Sequence, residues 1–280
     1  MSLRAVTCEG CGGAVALEVG AAMPRCLFCG SEALREPEEI DESIEPPHAI
    51  LTFQVDESTA DDAFRTFAKS SFWYPDDIRQ AKLELKRLLL PAWLWSGRIE
   101  THYAGLVRAG TRSGSRPVAG SEVTRMEGVL IPASTALSQK ELHDISPFTD
   151  DGGVPFVEDD VDTPYELGSL TRTAARQAGL AAMESLHQQR ITQQLSAKSL
   201  NVSSLQTEME GRPVLLPIYI GAYRRNDNIY RIVINGQTGE LTGDAPISWL
   251  KILGAIMAAL GCVLMVLLFI SIFLAIISQF

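Results

Sequence analysis

From Ile252 to Ile277 the chain runs twenty-six residues without a charge or a proline. As a helix this stretch reaches about 39 Å at about 1.5 Å per residue, enough to cross the roughly 30 Å hydrocarbon core of a bilayer with some tilt. A helix that is apolar on every face fits lipid better than the half-wet surface of a soluble domain. Trp249 stands where an interfacial aromatic belongs, and Lys251 with the upstream Arg224, Arg225 and Arg231 puts positive charge on the N-terminal side, the cytosolic side by the positive-inside rule. Residues 249–277 therefore read as a single-pass transmembrane helix in the plasma (inner) membrane, with the N-terminal domains cytosolic. Its place at the end of the sequence implies tail-anchored insertion after synthesis. Gly254 and Ala258 make a small-x-x-x-small face, with Gly261 almost a turn further on. This is a weak signal for helix pairing, and so for a homo-oligomer.

At the other end, Cys8-Glu9-Gly10-Cys11-Gly12 and Cys26-Leu27-Phe28-Cys29-Gly30 are two C-x-x-C turns, each followed by glycine. Such a turn aims both thiolates at one ion, and the glycine lets the backbone bend around the sulfurs. The residues between the pairs read as a strand at Ala14–Val19, a turn around Gly20–Pro24 and the second knuckle, slightly shorter than usual for zinc sites of this kind. Four thiolates close a tetrahedral shell and leave no open position, so Cys8, Cys11, Cys26 and Cys29 read as ligands of a structural Zn2+. A rubredoxin-type iron centre would use the same shell. A redox pair is disfavoured by the second C-x-x-C and by the missing thioredoxin-like βαβ context. The fifth cysteine, Cys262, lies in the apolar run, so the ribbon is expected to be reduced and cytosolic. Met1–Gly10 lacks the apolar h-region of a secretory signal.

These two ends divide the 280 residues into a zinc ribbon (1–35), an acidic and proline-rich linker (36–49), an α+β cytosolic domain (50–246) and the membrane helix. With 46% apolar and 21% charged residues the chain is globular plus anchor rather than disordered. Between Lys140 and Leu167 nine carboxylates face one lysine, so this segment carries −8 of the net charge of −10. Acidity on that scale repels phosphate backbones and weighs against nucleic acid as a partner.

In the central part, Ile50–Val55 alternates as a strand does, and Ser58 is placed to cap a helix carrying Ala63, Phe64, Phe67 and Ala68 on one face. Leu88-Leu89-Leu90-Pro91-Ala92-Trp93 and Val214-Leu215-Leu216-Pro217-Ile218-Tyr219 share an apolar triplet, a proline and an aromatic, with Gly128–Pro132 as a shorter echo. Proline cannot donate to a ladder, so each should mark an edge or a bulge of a buried strand. The first two read either as halves of a duplicated sheet or as a common way of entering a core. Ser169–Ser196 has helical spacing with an alanine-rich face and a candidate break at Gly179. Ile229–Ile234 followed by Asn235-Gly236-Gln237-Thr238-Gly239 is a strand entering a hairpin turn. The fold class is α+β with a mixed sheet and helices.

Catalytic chemistry has little to stand on. His48, His102, His143 and His187 have no partners at metal or nucleophile spacing, and no nucleophile elbow, phosphate loop or H-E-x-x-H is present, so the chain does not read as an enzyme. Asp150–Gly153 and Glu158–Asp162 lack the ligand spacing of an EF-hand and read as a solvated acidic loop that could meet a basic surface. Phe72, Trp73, Tyr74, Trp93 and Trp95 could form a peptide-binding face but read first as core.

The ribbon, Leu89–Trp93, Val129–Pro132, Leu215–Tyr219 and Tyr230–Glu240, followed by Pro246, Trp249 and Lys251, occur in an order that resembles a bacterial family of membrane proteins. Its members carry a transcription-factor-IIB-like zinc ribbon and are sometimes labelled as primosomal-helicase relatives, although no nucleotide-binding motif is present here. The resemblance implies a membrane partner of flotillin-like SPFH proteins or of phage-shock-type stress systems. The expected function is thus a membrane-anchored zinc-ribbon adaptor that binds protein partners. The alternative is a membrane-tethered nucleic-acid-binding regulator, for which Arg4, Arg25 and Arg35 are the ribbon's only basic residues.

Overall fold

Lys86–Arg108 and Ala197–Arg225 are the two longest strands, and their antiparallel pairing is the axis on which the rest is arranged. The computed structural model describes residues 3–9, 14–18, 25, 26, 28, 31–35, 43–81, 83–110, 114–151, 153–225 and 228–277. In chain order, β1 (Leu3–Cys8), β2 (Ala14–Glu18) and β3 (Leu34–Arg35) come first. β4 (Ala49–Ile50) leads into α1 (Glu57–Lys69), a 3₁₀ turn at Asp76–Gln80, β5 (Lys86–Arg108) and β6 (Ser115–Pro132). Then come α2 (Gln139–Asp144), β7 (Val154–Pro155), a 3₁₀ turn at Glu158–Asp160 and β8 (Tyr165–Glu166). α3 (Arg172–Gln194) feeds β9 (Ala197–Arg225), β10 (Asn228–Asn235) and β11 (Leu241–Gly243), before α4 (Trp249–Ile277). The chain is α+β with a mixed sheet and one C-terminal apolar helix. All the described strands join one sheet, in the order β11-β10-β9-β5-β8-β2-β1-β3, with β6 on β5 and β4 bridging β9 and β7.

Gly128–Pro132 lies on β6, an edge strand that among the described strands pairs with β5 alone and bulges between Met126 and Val129, as expected. Leu88–Trp93 and Val214–Tyr219, by contrast, are neither edges nor bulges. They pair with each other, Leu89↔Pro217, Leu90↔Leu216 and Pro91↔Leu215, so the pattern is symmetric about Leu90 and Leu216. The symmetry extends outward. β8 runs parallel to β5 at Leu89, as β4 runs parallel to β9 at Leu215. β6 then joins β5 antiparallel from Ala92, as β10 joins β9 from Ile218. Ala133 N donates to Pro91 O (2.9 Å), and Gly236 N to Pro217 O (2.8 Å). Each proline therefore sits where its strand exchanges one outer neighbour for another. Residues two apart point the same way along a strand, and the Leu89 amide serves Pro164 O, so the nitrogen of Pro91 faces the junction between β8 and β6. A missing N–H costs least there.

Both faces of this central crossing are covered, which is why the triplets are continuously apolar rather than alternating. On one face α1 lays Ala60, Phe64 and Ala68 over Tyr219, Tyr223 and Ile232, and α3 lays Ala175 and Met183 over Trp93, Trp95 and Ile131. Leu89, Tyr165 and Leu215 fill the space between. On the other face Leu88, Leu90, Leu216 and Ile218 share a core with Leu142, Ile145 and Phe148, and with Val6, Cys8, Val15, Cys26 and Phe28 of the N-terminal strands.

Two local expectations are corrected. α1 is capped by Asp56, whose Oδ1 accepts from Thr59 N (2.8 Å), while Ser58 donates its hydroxyl to the same carboxylate. α3 runs unbroken through Gly179. Glycine there lets the helix approach the indole closely: a Cβ would stand 3.0 Å from Trp95 Cδ1, so the ring would have to give by a few tenths of an ångström, whereas one on Gly211 would come 2.3 Å from Cε3.

Candidate metal centre and the face at the apolar helix

Of the four cysteines, Cys8 and Cys26 are described and both are buried, Cys8 at the end of β1. Phe28 N donates to Cys26 Sγ at 3.4 Å, and Cys26 N donates to Ser31 O at 2.7 Å. Glu9 N donates to Ala33 O (2.9 Å), and Cys8 pairs with Leu34 on β3. An amide two residues beyond a cysteine, aimed at its sulfur, stabilises thiolate charge. A sheltered sulfur with that donor fits metal coordination. Cys11 and Cys29 lie outside the described residues, and among those described no three potential ligands group together.

The N-terminal strands are joined to the sheet. β2 pairs with β8 at Val15↔Glu166 and Ala16↔Tyr165. Glu166 is buried at this seam; Oε1 accepts from Thr135 N (2.9 Å) and Thr135 Oγ1 (2.8 Å), and Oε2 meets the Ser134 hydroxyl. Burial pushes its pKa up by more than the Ser134 and Thr135 hydrogen bonds lower it. Toward the C-terminal end of the linker, Glu45 makes a two-pronged pair with Arg172 at the start of α3 (2.6 and 2.8 Å).

Nor is the acidic segment one solvated loop. Glu141 closes a capping box with Ser138 on α2 and pairs with Arg231. Burial pushes the Glu141 pKa up, but hydrogen bonds from Ser138 and the Arg231 guanidinium bring it below the ordinary carboxylate value. Asp150 pairs with Arg212 and Asp144 with Lys140, while Asp151, Glu158, Asp159, Asp160 and Asp162 are exposed.

The turn after β10 is a clamp, where its sequence predicts only a reversal. Asn235 is fully buried; its Nδ2 donates to Ile145 O and Pro147 O, both at 2.8 Å, and its Oδ1 accepts from Gln237 N at 2.7 Å. Gln237 exchanges two hydrogen bonds with the Thr149 backbone (2.9 and 3.0 Å). Gly239 has φ +79°, and a Cβ on Gly236 would come within 2.8 Å of Pro217 O. His187 is buried against Thr101 (Nδ1 to Oγ1, 2.8 Å), whereas His48, His102 and His143 are exposed on separate segments.

α4 leaves the domain with a window from Trp249 to Ser271 of mean hydropathy 2.8, none of it buried, long and apolar enough to cross a membrane. Its start is docked. Ser248 N donates to Trp73 O (2.8 Å), and Lys251 Nζ donates to Tyr74 O and Asp76 Oδ1, both at 2.8 Å, with the ammonium 5.4 Å from the Phe72 ring centroid. The Lys251 hydrogen bond holds the Asp76 carboxyl below its usual range. The aromatic group expected to be core divides here: Trp93 and Trp95 are buried, but Phe72 is 67% and Trp73 42% exposed. Of the cations expected to flank the membrane, Arg231 is engaged by Glu141 and Ala136 O, and the side chains of Arg224 and Arg225 lie outside the described residues. No protein-family model, curated protein or solved structure matches the chain.

Proposed function

We propose that this protein is a membrane-anchored adaptor that binds protein partners at the cytosolic face of the plasma (inner) membrane. α4 crosses the bilayer once, and the sheet domain and a zinc ribbon stay on the cytosolic side. Cys8, Cys11, Cys26 and Cys29 hold a structural Zn2+, which supplies folding energy to strands too few to bury a core alone. The observation that carries the reading is α4, an apolar helix of spanning length that is exposed from Leu253 to Ser271 and whose first turn is pinned to a folded domain. The ribbon is supported by the shelter of Cys8 and Cys26 and by the Phe28 amide on Cys26 Sγ. Two β-α-β-β units meeting at Leu90 and Leu216 are read as duplicated halves, giving a broad scaffold. SPFH-like and phage-shock-type membrane proteins are the candidate partners that the family resemblance suggests.

The test is proximity crosslinking and mass spectrometry on the full-length protein in its own membrane, beside a Cys26→Ser, Cys29→Ser variant that still inserts. Capture of membrane proteins that is lost in the variant supports a ribbon-dependent adaptor. Capture of nucleic-acid machinery, or of nothing dependent on the cytosolic domains, overturns it.

A further inference from the structure

We infer that the Phe72–Trp73 turn is a second membrane contact, an aromatic foot seated among the lipid headgroups of the leaflet through which α4 enters. The inference rests on reading α4 as a membrane span and adds where the domain touches the bilayer. Phe72 and Trp73 are exposed in a chain that buries Trp93 and Trp95 almost completely. Their position is tied to the helix: the Trp73 carbonyl accepts from Ser248 N, and Tyr74 O and Asp76 both accept from Lys251, the third residue of α4. Bonds of 2.8 Å on both sides of Trp249 tie the depth of the turn to that of the helix start. Ile247, Trp249 and Leu250 are also exposed, so the turn and the helix start make one apolar patch.

The chemistry of the patch suits headgroups rather than water or acyl chains. Trp and Phe supply amphipathic or polarisable rings that favour the interface. Lys251 is already satisfied by a carboxylate and a carbonyl and lies near the face of Phe72, so its charge can remain at headgroup level while its stem lies on apolar surface. An exposed apolar patch continuous with an apolar anchor marks the surface the anchor presses against its lipid. Two contacts, one helix and one turn, fix the tilt of the domain on the bilayer where a lone helix would let it swing.

The experiment places the photo-crosslinker p-benzoylphenylalanine at Phe72, at Leu264 within α4, or at exposed Leu205 on β9, each in full-length protein in its own membrane. The expected result is lipid adducts at Phe72 and Leu264 at least about tenfold more frequent than at Leu205, as for groups at and below the interface. Lipid adducts at Leu264 with none above background at Phe72 overturn the foot and leave the anchor standing. Adducts at Phe72 to a second copy or to another protein also overturn it, making the patch a protein interface. Absence of lipid adducts at Leu264 overturns the anchor, and the foot with it.

Discussion

At the scale of single residues, Asn235 and Glu166 show how much of the fold depends on buried polar groups. Asn235→Asp removes both donors to Ile145 O and Pro147 O and sets a carboxylate against two carbonyl oxygens. We expect it to cost about 3 kcal/mol or more in urea unfolding of the detergent-solubilised protein, since a buried donor pair is lost and an unpaired charge gained. Glu166 acts through pH. Its folded carboxyl keeps its proton to higher pH than the unfolded one. Its contribution is therefore fully present below the ordinary carboxylate value and is lost as pH rises through the folded value. Glu141 runs the other way, contributing stability that is lost as pH falls through its lowered value. Melting curves across mildly acidic to neutral pH should show Glu166→Gln losing the decline toward neutrality that the unsubstituted protein shows; identical slopes would refute the assignment.

At the scale of elements, two predictions separate packing from metal. Trp95 lies between Gly179 of α3 and Gly211 of β9. Gly211→Ala drives a methyl into the indole and should lower stability by about 1–3 kcal/mol, whereas Gly179→Ala meets a looser contact and regains up to about 1 kcal/mol of helix propensity. Equal costs for the two would show that the indole is not confined as described. Chelation addresses β1, β2 and β3. On removal of the proposed Zn2+, amide exchange should accelerate across these strands and at β8, which pairs with β2, while the β5–β9 crossing stays protected. Unchanged exchange in β1–β3 after complete metal loss would mean that the strands are held by packing on the sheet alone.

At the scale of the whole molecule, anchoring has a direct assay. Alkaline carbonate should fail to extract the protein, and protease added outside sealed cells should leave the N-terminal strands intact; cleavage there would reverse the proposed topology. The apolar helix of spanning length was legible because a run of apolar residues is a local property, and α1, α3 and β10 stand close to where their patterns place them for the same reason, whereas the alternation at Ile50–Val55 forms a strand only at Ala49–Ile50. Less of the candidate site could be read. C-x-x-C spacing names candidate ligands, but it does not say that Val15 and Glu166 lie side by side or that the second core includes Cys8 and Cys26.

By itself the sequence determined the α+β class, an apolar helix of spanning length and four cysteines at metal spacing, because periodicity, run length and short spacing are written within a few turns of chain. Only the tertiary structure decided which polar groups are buried and what they hold. Glu166 in an acidic run became a seam and Asn235 in a turn became a clamp. Pro91 and Pro217 became junctions because two distant segments cross there, and Phe72 and Trp73 were left outside while Trp93 and Trp95 went in. These outcomes depend on contacts between residues far apart in the chain, whose partners exist only once the sheet has assembled.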